Sequence, residues 1–147
     1  MKNKSGFTLV ELLVAIAIIG TLITISMISY NKISANSRDN RRITDIISIQ
    51  QSLELYHRDE GFYPNTLTPG QVLTGSSTAN VYLAKIPSAP LPIDGDCTST
   101  QNTYTYTLID EDHYILSYCL GDDTSKVKKG VHCASEKNID DLTACSL

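Results

Sequence analysis

Apolar side chains are concentrated in one stretch near the N-terminus, residues 6–28, which reads GFTLVELLVAIAIIGTLITISMI. Its length is about that of a bilayer-spanning helix, roughly 20 residues. The only ionisable side chain in it is that of Glu11. A carboxylate in such a span costs about 2.5 kcal/mol or more near the bilayer centre, so it normally has a partner or a function. The pattern predicts a membrane-spanning helix in which Glu11 has a role of its own.

The apolar stretch runs without a break into a second helical segment. Between Phe7 and Gly61 there is no proline, and Gly20 is the only glycine. These features predict one helix over about residues 7–60, longer than a bilayer requires. In its second half a stripe with a polar edge recurs at helical spacing, and we expect it to pack against a globular head. The stripe consists of Ile43, Ile46, Ile47, Gln50, Leu53 and His57.

Residues 34–42, which read SANSRDNRR, are polar all round and join the two halves of the helix. We interpret Arg38, Arg41 and Arg42 as part of a solvated helix face. The alternative is contact with lipid headgroups or with acidic heads of other subunits.

The end of the helix is marked by residues that favour termination. Arg58 suits the negative C-terminal end, Gly61 can adopt the left-handed conformation, and Pro64 cannot continue the helix. We expect Phe62 to fold back on Tyr56 or His57.

Strand patterns appear only in the second half of the chain. Residues 63–96 contain all five prolines and predict a loop-rich connection, within which residues 81–86 fit a helical turn or a strand. Residues 103–109 and 113–119 both alternate with period two and predict a hairpin with a connection at residues 110–112. Pairing Ile109 with His113 places six side chains on one face, where they can cover the helix stripe. The six form the pairs Leu108–Tyr114, Tyr106–Leu116 and Tyr104–Tyr118.

The opposite face of the hairpin is more polar, and the tail beyond it is short. Thr103, Thr105, Thr107 and Ser117 suit solvent, whereas Ile109 and Ile115 indicate partial cover. Residues 120–147 predict a third short strand or a loop held by disulfides.

Charge and composition exclude some functions. The chain has 147 residues and a net charge of −4, and residues 60–147 carry eleven acidic side chains against five lysines. A nucleic-acid interface needs a basic patch, so no nucleic-acid partner is predicted. An alternative is an enzyme whose head is carried on the helix as a stalk. Its candidate catalytic residues are His57, His113 and His132 with the acids Asp110, Glu111, Asp112, Asp122 and Asp123. They match no catalytic spacing, so we predict that the chain is not an enzyme.

Four cysteines lie downstream of the apolar stretch: Cys97, Cys119, Cys133 and Cys145. An even count in an exported segment predicts two disulfides. We favour Cys97–Cys119, which flank the hairpin, and Cys133–Cys145, which close a local loop; Cys119–Cys133 is also within reach. A zinc site that combines cysteines with His113 or His132 is disfavoured because no CxxC spacing occurs.

The N-terminus resembles that of the type IV filament family, the type IV pilins and the pseudopilins of type II secretion. A short leader with Lys2 and Lys4, a Gly6–Phe7 junction, an apolar span and an acid at a fixed offset coincide. The resemblance implies cleavage by a prepilin peptidase between Gly6 and Phe7, N-methylation of Phe7, and contact of Glu11 with the N-terminal amine of a neighbouring subunit. An ordinary cleaved signal has a shorter apolar region, and a plain single-span anchor gives Glu11 no partner.

The head also resembles the major pseudopilins of type II secretion. The similar segments are SIQQSLELYHRDEGFYP, VYLAKIP and YTYTLIDEDHYILSYCLGDD. Those pseudopilins have Asp-Pro-Trp after the Ile-Pro, whereas residues 88–91 here read SAPL, so a pilus subunit and a secretion pseudopilin both remain open. The resemblance also makes Asp122 and Asp123 calcium candidates. Lysines follow closely and would repel a cation, so we predict no tight metal site and no cofactor.

These observations predict an α+β, pilin-like fold in which the long helix packs by its C-terminal half on a small antiparallel sheet. The expected parts are a leader over 1–6, a transmembrane and filament-core half-helix over 7–30, an amphipathic half-helix over 31–60 and a head over 61–147. The resemblance implies a filament subunit that works with a prepilin peptidase, an inner-membrane assembly platform and copies of itself and other pilins or pseudopilins. It also implies a single-pass inner-membrane protein whose head lies outside the cytoplasm, in filaments at or beyond the cell surface. The alternative is a non-polymerising single-span protein with an extracytoplasmic binding head.

Overall fold

The computed structural model describes residues 6–77, 79–124 and 127–140, without the side chains of residues 28 and 29. One helix precedes five strands. They are α1 (Leu9–Glu60), β1 (Leu73–Thr74), β2 (Val81–Leu83), β3 (Thr105–Asp110), β4 (His113–Leu120) and β5 (Gly130–Ala134). The chain divides into two compact units after Ser34. The second unit holds the rest of α1 and all five strands, which confirms the predicted α+β fold.

The helix ends as predicted. Gly61 has φ of +84°, a left-handed conformation that glycine adopts without penalty, and its N–H donates to the carbonyl of His57 at 2.8 Å. The ring of Phe62 lies edge-on to that of Tyr56, with 6.0 Å between centroids. The chain therefore turns back on the last turn of α1.

The buried stripe of α1 differs in part from the prediction. Ile43, Ile46 and Leu53 are buried as expected, but Ile49 and Tyr56 are buried as well. Ile47, Gln50 and His57 are only half-buried. The stripe advances in steps of three residues, 43–46–49 and 53–56, and so lies slightly to one side of the predicted one.

The larger sheet has the order β3-β4-β5 and is antiparallel throughout. Tyr106 faces Leu116 and Leu108 faces Tyr114, as the alternation predicted. The predicted Ile109–His113 pair is wrong, because β3 bulges there and Asp110 pairs with His113 instead. The Tyr104–Tyr118 pair is also absent, because β3 begins only at Thr105.

The predicted inner face of the hairpin is confirmed by the core. Four of its six side chains are buried in the hydrophobic cluster that contains Ile46 and Leu53 of α1, and the other two, Tyr106 and Leu108, are partly buried and pack against it. On the other face, Ile115 is buried against Cys133 of β5, whereas Ile109 stays 47% exposed at the bulge. The β5 strand covers one of the two apolar exceptions and leaves the other in solvent.

A second, two-stranded sheet shows which structure residues 81–86 adopt, for which the sequence allowed either a helical turn or a strand. Residues 81–83 form β2 and pair antiparallel with β1, so a strand replaces the alternative of a helical turn. The Glu60 carboxylate fastens this hairpin to the end of α1. It accepts hydrogen bonds from Ser76 Oγ at 2.5 Å and from Tyr82 O–H at 3.4 Å.

Candidate functional site: the N-terminal motif and the buried charges of the head

The predicted cleavage junction lies outside the helix and is open. Gly6 and Phe7 precede α1, and 79% of Phe7 is exposed. Apart from its two neighbours in the chain, no described residue has an atom within 4 Å of the place where a Cβ atom at Gly6 would stand. The backbone of Gly6 is therefore accessible from the side on which other residues carry a side chain.

Glu11 has a partner within its own chain. Its Oε2 accepts hydrogen bonds from the N–H of Thr8 at 2.9 Å and from the Thr8 hydroxyl at 2.8 Å, while the N–H of Glu11 points to Thr8 Oγ1 at 3.3 Å. This is the reciprocal arrangement of a capping box, which satisfies free N–H groups at a helix start. The sequence analysis missed Thr8, although the T-x-x-E spacing before an apolar run is a recognisable signal for it.

The first part of α1 exposes an almost continuous apolar surface. Its residues 9–27 include twelve large apolar side chains that are each at least half exposed: Leu9, Val10, Leu12, Leu13, Val14, Ile16, Ile18, Ile19, Leu22, Ile23, Ile25 and Met27. An 18-residue window of α1 has a mean hydropathy of 2.5, and none of that window is buried. By length and composition, this helix can cross a membrane.

Even the polar side chains of this segment suit apolar surroundings. The hydroxyls of Thr21, Thr24 and Ser26 each donate to a backbone carbonyl three or four residues earlier, at 2.7 to 2.8 Å. A hydroxyl whose donor is bonded within its own helix does not need water. The segment can therefore be covered by lipid or by other helices without leaving these donors unpaired.

One of the two predicted disulfides is present. Cys97 is bonded to Cys119 with 5.9 Å between their Cα atoms, so the alternative Cys119–Cys133 pair is excluded. The bond ties the loop before β3 to the end of β4. Cys133 lies in β5, but Cys145 falls outside the described residues, so its pairing with Cys133 stays a prediction.

Of the two candidate calcium ligands, Asp122 binds α1 through its backbone N–H, and Asp123 accepts a hydrogen bond through its carboxylate. The N–H of Asp122 donates to Asp39 Oδ2 at 2.8 Å, and Asp123 Oδ1 accepts the N–H of Lys129 at 2.9 Å. Among the described residues there is no group of three or more His, Cys, Asp or Glu side chains suited to hold a metal ion.

Each histidine is paired with its own acid: His57 and His113 with acids at the β3–β4 connection, and His132 with an acid after β5. His57 Nε2 lies 2.9 Å from Asp112 Oδ1, and His132 Nδ1 lies 2.8 Å from Asp140 Oδ1. His113 Nδ1 lies 2.7 Å from Asp110 Oδ1, and this hydrogen bond holds the pKa of Asp110 below its usual value. The histidines of the hypothetical enzyme site therefore fall into two places: the β3–β4 connection, and a buried position in β5 that holds His132.

The prediction of a solvated arginine face is wrong for two of the three arginines. The Arg42 side chain is fully buried, and Arg38 is 22% exposed. With Asp39 and Asp94 they form what we call the arginine cluster. Arg41 alone lies on an exposed face, as predicted.

Oxygen atoms from α1 and from the loop between β2 and β3 surround the guanidinium of Arg42. Its Nη1 donates to Asp39 Oδ1 at 2.6 Å and to Asp94 Oδ2 at 3.3 Å, and its Nη2 donates to the Pro90 carbonyl at 3.2 Å and to Asn102 Oδ1 at 2.9 Å. Buried charges are tolerated when they are paired and hydrogen-bonded, as here.

Asp94 links the two arginines. Arg38 donates to it twice, from Nε at 2.6 Å and from Nη2 at 2.5 Å. These hydrogen bonds hold the pKa of Asp94 below its usual value. The i,i+3 spacing of Asp39 and Arg42 is visible in the sequence, but no local signal identifies Asp94, which lies 52 residues beyond Arg42.

Comparisons with known proteins agree with the N-terminal motif. Residues 1–27 match the prokaryotic N-terminal methylation motif. The type II secretion system core protein G of Vibrio cholerae is 29% identical over 66 residues, 45% of each protein. Its namesake in Escherichia coli K12 is 35% identical over 66 residues, 44% of each protein. The type IV major pilin protein PilE of Neisseria gonorrhoeae is 26% identical over 100 residues, 68% of this chain and 58% of the pilin.

The chain spans about half the length of the curated relatives it matches, between 42% and 65% of each. No solved structure gives a significant match. The methylation motif, relatives from both branches and the long helix followed by a small antiparallel sheet agree with one another. The chain is similar both to type II secretion core proteins and to type IV pilins, and its residues 1–27 carry the prokaryotic N-terminal methylation motif.

Proposed function

We propose that this chain is a structural subunit of a membrane-anchored helical filament, assembled through the first part of α1. The observation that carries the proposal is the exposed apolar surface of residues 9–27. None of the 18-residue apolar window in this part of the chain is buried. Removing apolar surface from water is favourable by about 25 cal/mol per Å², so a surface of this kind is expected to be covered by other apolar groups. In the membrane the cover is lipid, and in the filament it is the same segment of other copies.

Processing prepares the segment for assembly. In this proposal a prepilin peptidase cuts between Gly6 and Phe7, the leader over 1–6 is lost and the new amine of Phe7 is methylated. The open backbone at Gly6 supports the proposal, because a peptidase must reach the peptide bond that it cuts. Residues 7–30 then serve as the membrane and filament-core half-helix, residues 31–60 as the amphipathic half, and residues 61–147 as the head.

Glu11 sets the register between subunits. Its bonds to Thr8 both use Oε2 and fix the carboxylate at the start of α1, near the end that carries Phe7. A positively charged amine of a neighbouring copy would be drawn to this carboxylate, and a misplaced copy would leave a buried charge unpaired. Thr8 holds the carboxylate in one orientation while this contact forms.

The partners and the location follow from the same proposal. They are copies of this chain and other pilins or pseudopilins, the prepilin peptidase and an inner-membrane assembly platform, with the head outside the cytoplasm. The Cys97–Cys119 bond supports a head in an oxidising compartment, where such bonds persist. The role is structural and does not require an enzymatic site.

Assembly is tested by replacing Glu11 in cells that have no other copy of the gene. Glu11→Ala makes the span more apolar, so the chain should still insert in the membrane, but sheared filaments in the high-speed pellet should be few or absent. Thr21→Ala is the matched control, because its hydroxyl bonds only to its own helix, and it should assemble normally. Abundant filaments from Glu11→Ala would contradict the register role. Absence of filaments from the unaltered chain would favour a non-polymerising anchor with a binding head.

Processing is tested at Gly6. Gly6→Val places a branched side chain where the backbone is now open, and we expect the uncut precursor to accumulate in the membrane. Gly20→Ala, a glycine change within the span, should leave cleavage intact. Intact-mass measurement that finds Phe7 as the N-terminal residue of the Gly6→Val chain would refute this part of the proposal.

A further inference from the structure

The loop between β2 and β3 has no strand of its own, yet it supplies most of the surroundings of Arg42. Three of the four oxygens that accept from the guanidinium belong to this loop: the Pro90 carbonyl, Asn102 Oδ1 and Asp94 Oδ2. The fourth, Asp39 Oδ1, lies on α1. Arg42 therefore keeps all four acceptors only while this loop is closed over the helix.

The segment after β4 is bound to the same place. Asp39 accepts the N–H of Gly121 at 3.0 Å and that of Asp122 at 2.8 Å. Gly95 has φ of +52°, and a Cβ atom there would overlap the carbonyl of Gly121, so the two backbones are in direct contact. Asp39 and Asp94 thus hold α1, the loop and the end of β4 together around one cation.

The Cys97–Cys119 disulfide joins the same two segments. Cys97 lies three residues after Asp94, and its N–H donates to the Asp94 carbonyl at 3.2 Å. Cys119 lies two residues before Gly121, whose N–H Asp39 accepts. Opening the loop would both separate the sulfur atoms and remove three of the four acceptors of Arg42. An uncompensated buried charge is strongly unfavourable, so the two events cannot be independent.

We infer that the Cys97–Cys119 disulfide and the arginine cluster are one coupled device, in which oxidation of the two thiols locks residues 38–42 of α1 into the head. The reaction is thiol–disulfide exchange: two thiols lose two electrons and two protons to an external disulfide, which becomes a dithiol. In a reducing compartment the loop is open and Arg38 and Arg42 face water. Once oxidised, the same residues are part of the core of the head.

The inference is independent of filament formation and is tested on the full chain in detergent micelles. The chain is equilibrated with mixtures of reduced and oxidised dithiothreitol, free thiols are alkylated, and peptide mapping gives the fraction with Cys97 bonded to Cys119. Asp94→Asn should raise the oxidant-to-reductant ratio for half formation by about tenfold, a typical size for coupling between two sites. The bond would then be easier to reduce because the cluster no longer holds its two segments.

Asp96→Asn is the matched control. Asp96 is adjacent to Cys97 and carries the same charge, but its side chain is 64% exposed and pairs at 2.9 Å with Lys129, itself half exposed. Exposed ion pairs contribute little, so the ratio should move by less than about twofold. Equal ratios for Asp94→Asn and Asp96→Asn would overturn the inference.

Two further measurements keep the test decisive if Asp94→Asn does not fold. Arg38→Gln removes one of the two cations that bind Asp94 and should shift the ratio in the same direction, whereas Arg41→Gln should not. In the double Cys97→Ser, Cys119→Ser chain, hydrogen exchange of the Gly121 and Asp122 amides should rise about tenfold or more. No shift with Arg38→Gln, or unchanged exchange at these amides, would overturn the coupling.

Discussion

Arg42 offers the sharpest test of how the head is stabilised. Arg42→Met keeps an unbranched apolar chain in the buried site and removes the positive charge. Removing one partner of a buried ion pair costs about 3–5 kcal/mol. Here Asp94 keeps its two bonds from Arg38, and Asp39 keeps the amides after β4. Both carboxylates stay partly compensated, so we expect the lower end, about 3 kcal/mol of unfolding free energy.

The melting temperature of the head reports this loss. For a unit of this size, 1 kcal/mol corresponds to about 4 °C, so Arg42→Met should melt about 12 °C lower. The chain has eight tyrosines and no tryptophan, and several of the tyrosines are buried, so near-ultraviolet circular dichroism of the full chain in detergent follows the core. Arg41→Met is the control, because Arg41 is its exposed neighbour and should change the midpoint by no more than about 2 °C. Equal midpoints for the two variants would refute the view that charge pairing holds this part of the head.

Three other predictions concern the core, acid and calcium. Leu53→Ala removes a fully buried side chain and should lower the unfolding free energy by about 2–5 kcal/mol in the same melting assay. Leu55→Ala, at an exposed leucine, should leave it nearly unchanged. Hydrogen bonds from Arg38 lower the pKa of Asp94 in the folded state. The ionised carboxylate therefore contributes its full share of the unfolding free energy above about pH 4, and that share is lost as the pH falls through the lowered pKa. The melting temperature of Asp94→Asn should accordingly depend less on pH, between about 5 and 3, than that of the unaltered chain. Calcium or EDTA should barely change the midpoint, and a rise of several degrees with calcium, abolished by Asp122→Ala or Asp123→Ala, would show that judgement to be wrong.

The elements that sequence reasoning predicted correctly are those with a local cause. The β3–β4 hairpin is predicted by the strict alternation of apolar and polar residues in its two strands. This local pattern alone is enough to predict that Tyr106 lies opposite Leu116. The helix end follows from Gly61 in the same way. The error at Ile109 is also local, because a bulge moves the register by one residue and alternation alone does not show where it occurs.

The arginine cluster shows what a linear pattern cannot supply. Arg38, Arg41 and Arg42 have the same charge and helix propensity, and their neighbours are polar. What separates buried Arg42 from exposed Arg41 is Asp94, on a loop whose course no period or turn signal specifies. In contrast, the capping role of Thr8 could have been predicted, because its T-x-x-E spacing to Glu11 is a local signal in the sequence.

The buried charges decide where a water-soluble fragment of this protein can begin. Judged by hydrophobicity alone, a fragment could start at Ile43, the first buried apolar residue of α1. Such a fragment would lack the guanidinium around which the loop closes, and Asp94 would lose both of its cations. A start at Ser34 removes the exposed apolar segment, keeps the four charged residues and supplies a serine, which is a favourable first residue for the new helix. The cut that makes the head soluble is thus fixed by electrostatics, two turns earlier than hydrophobicity would place it.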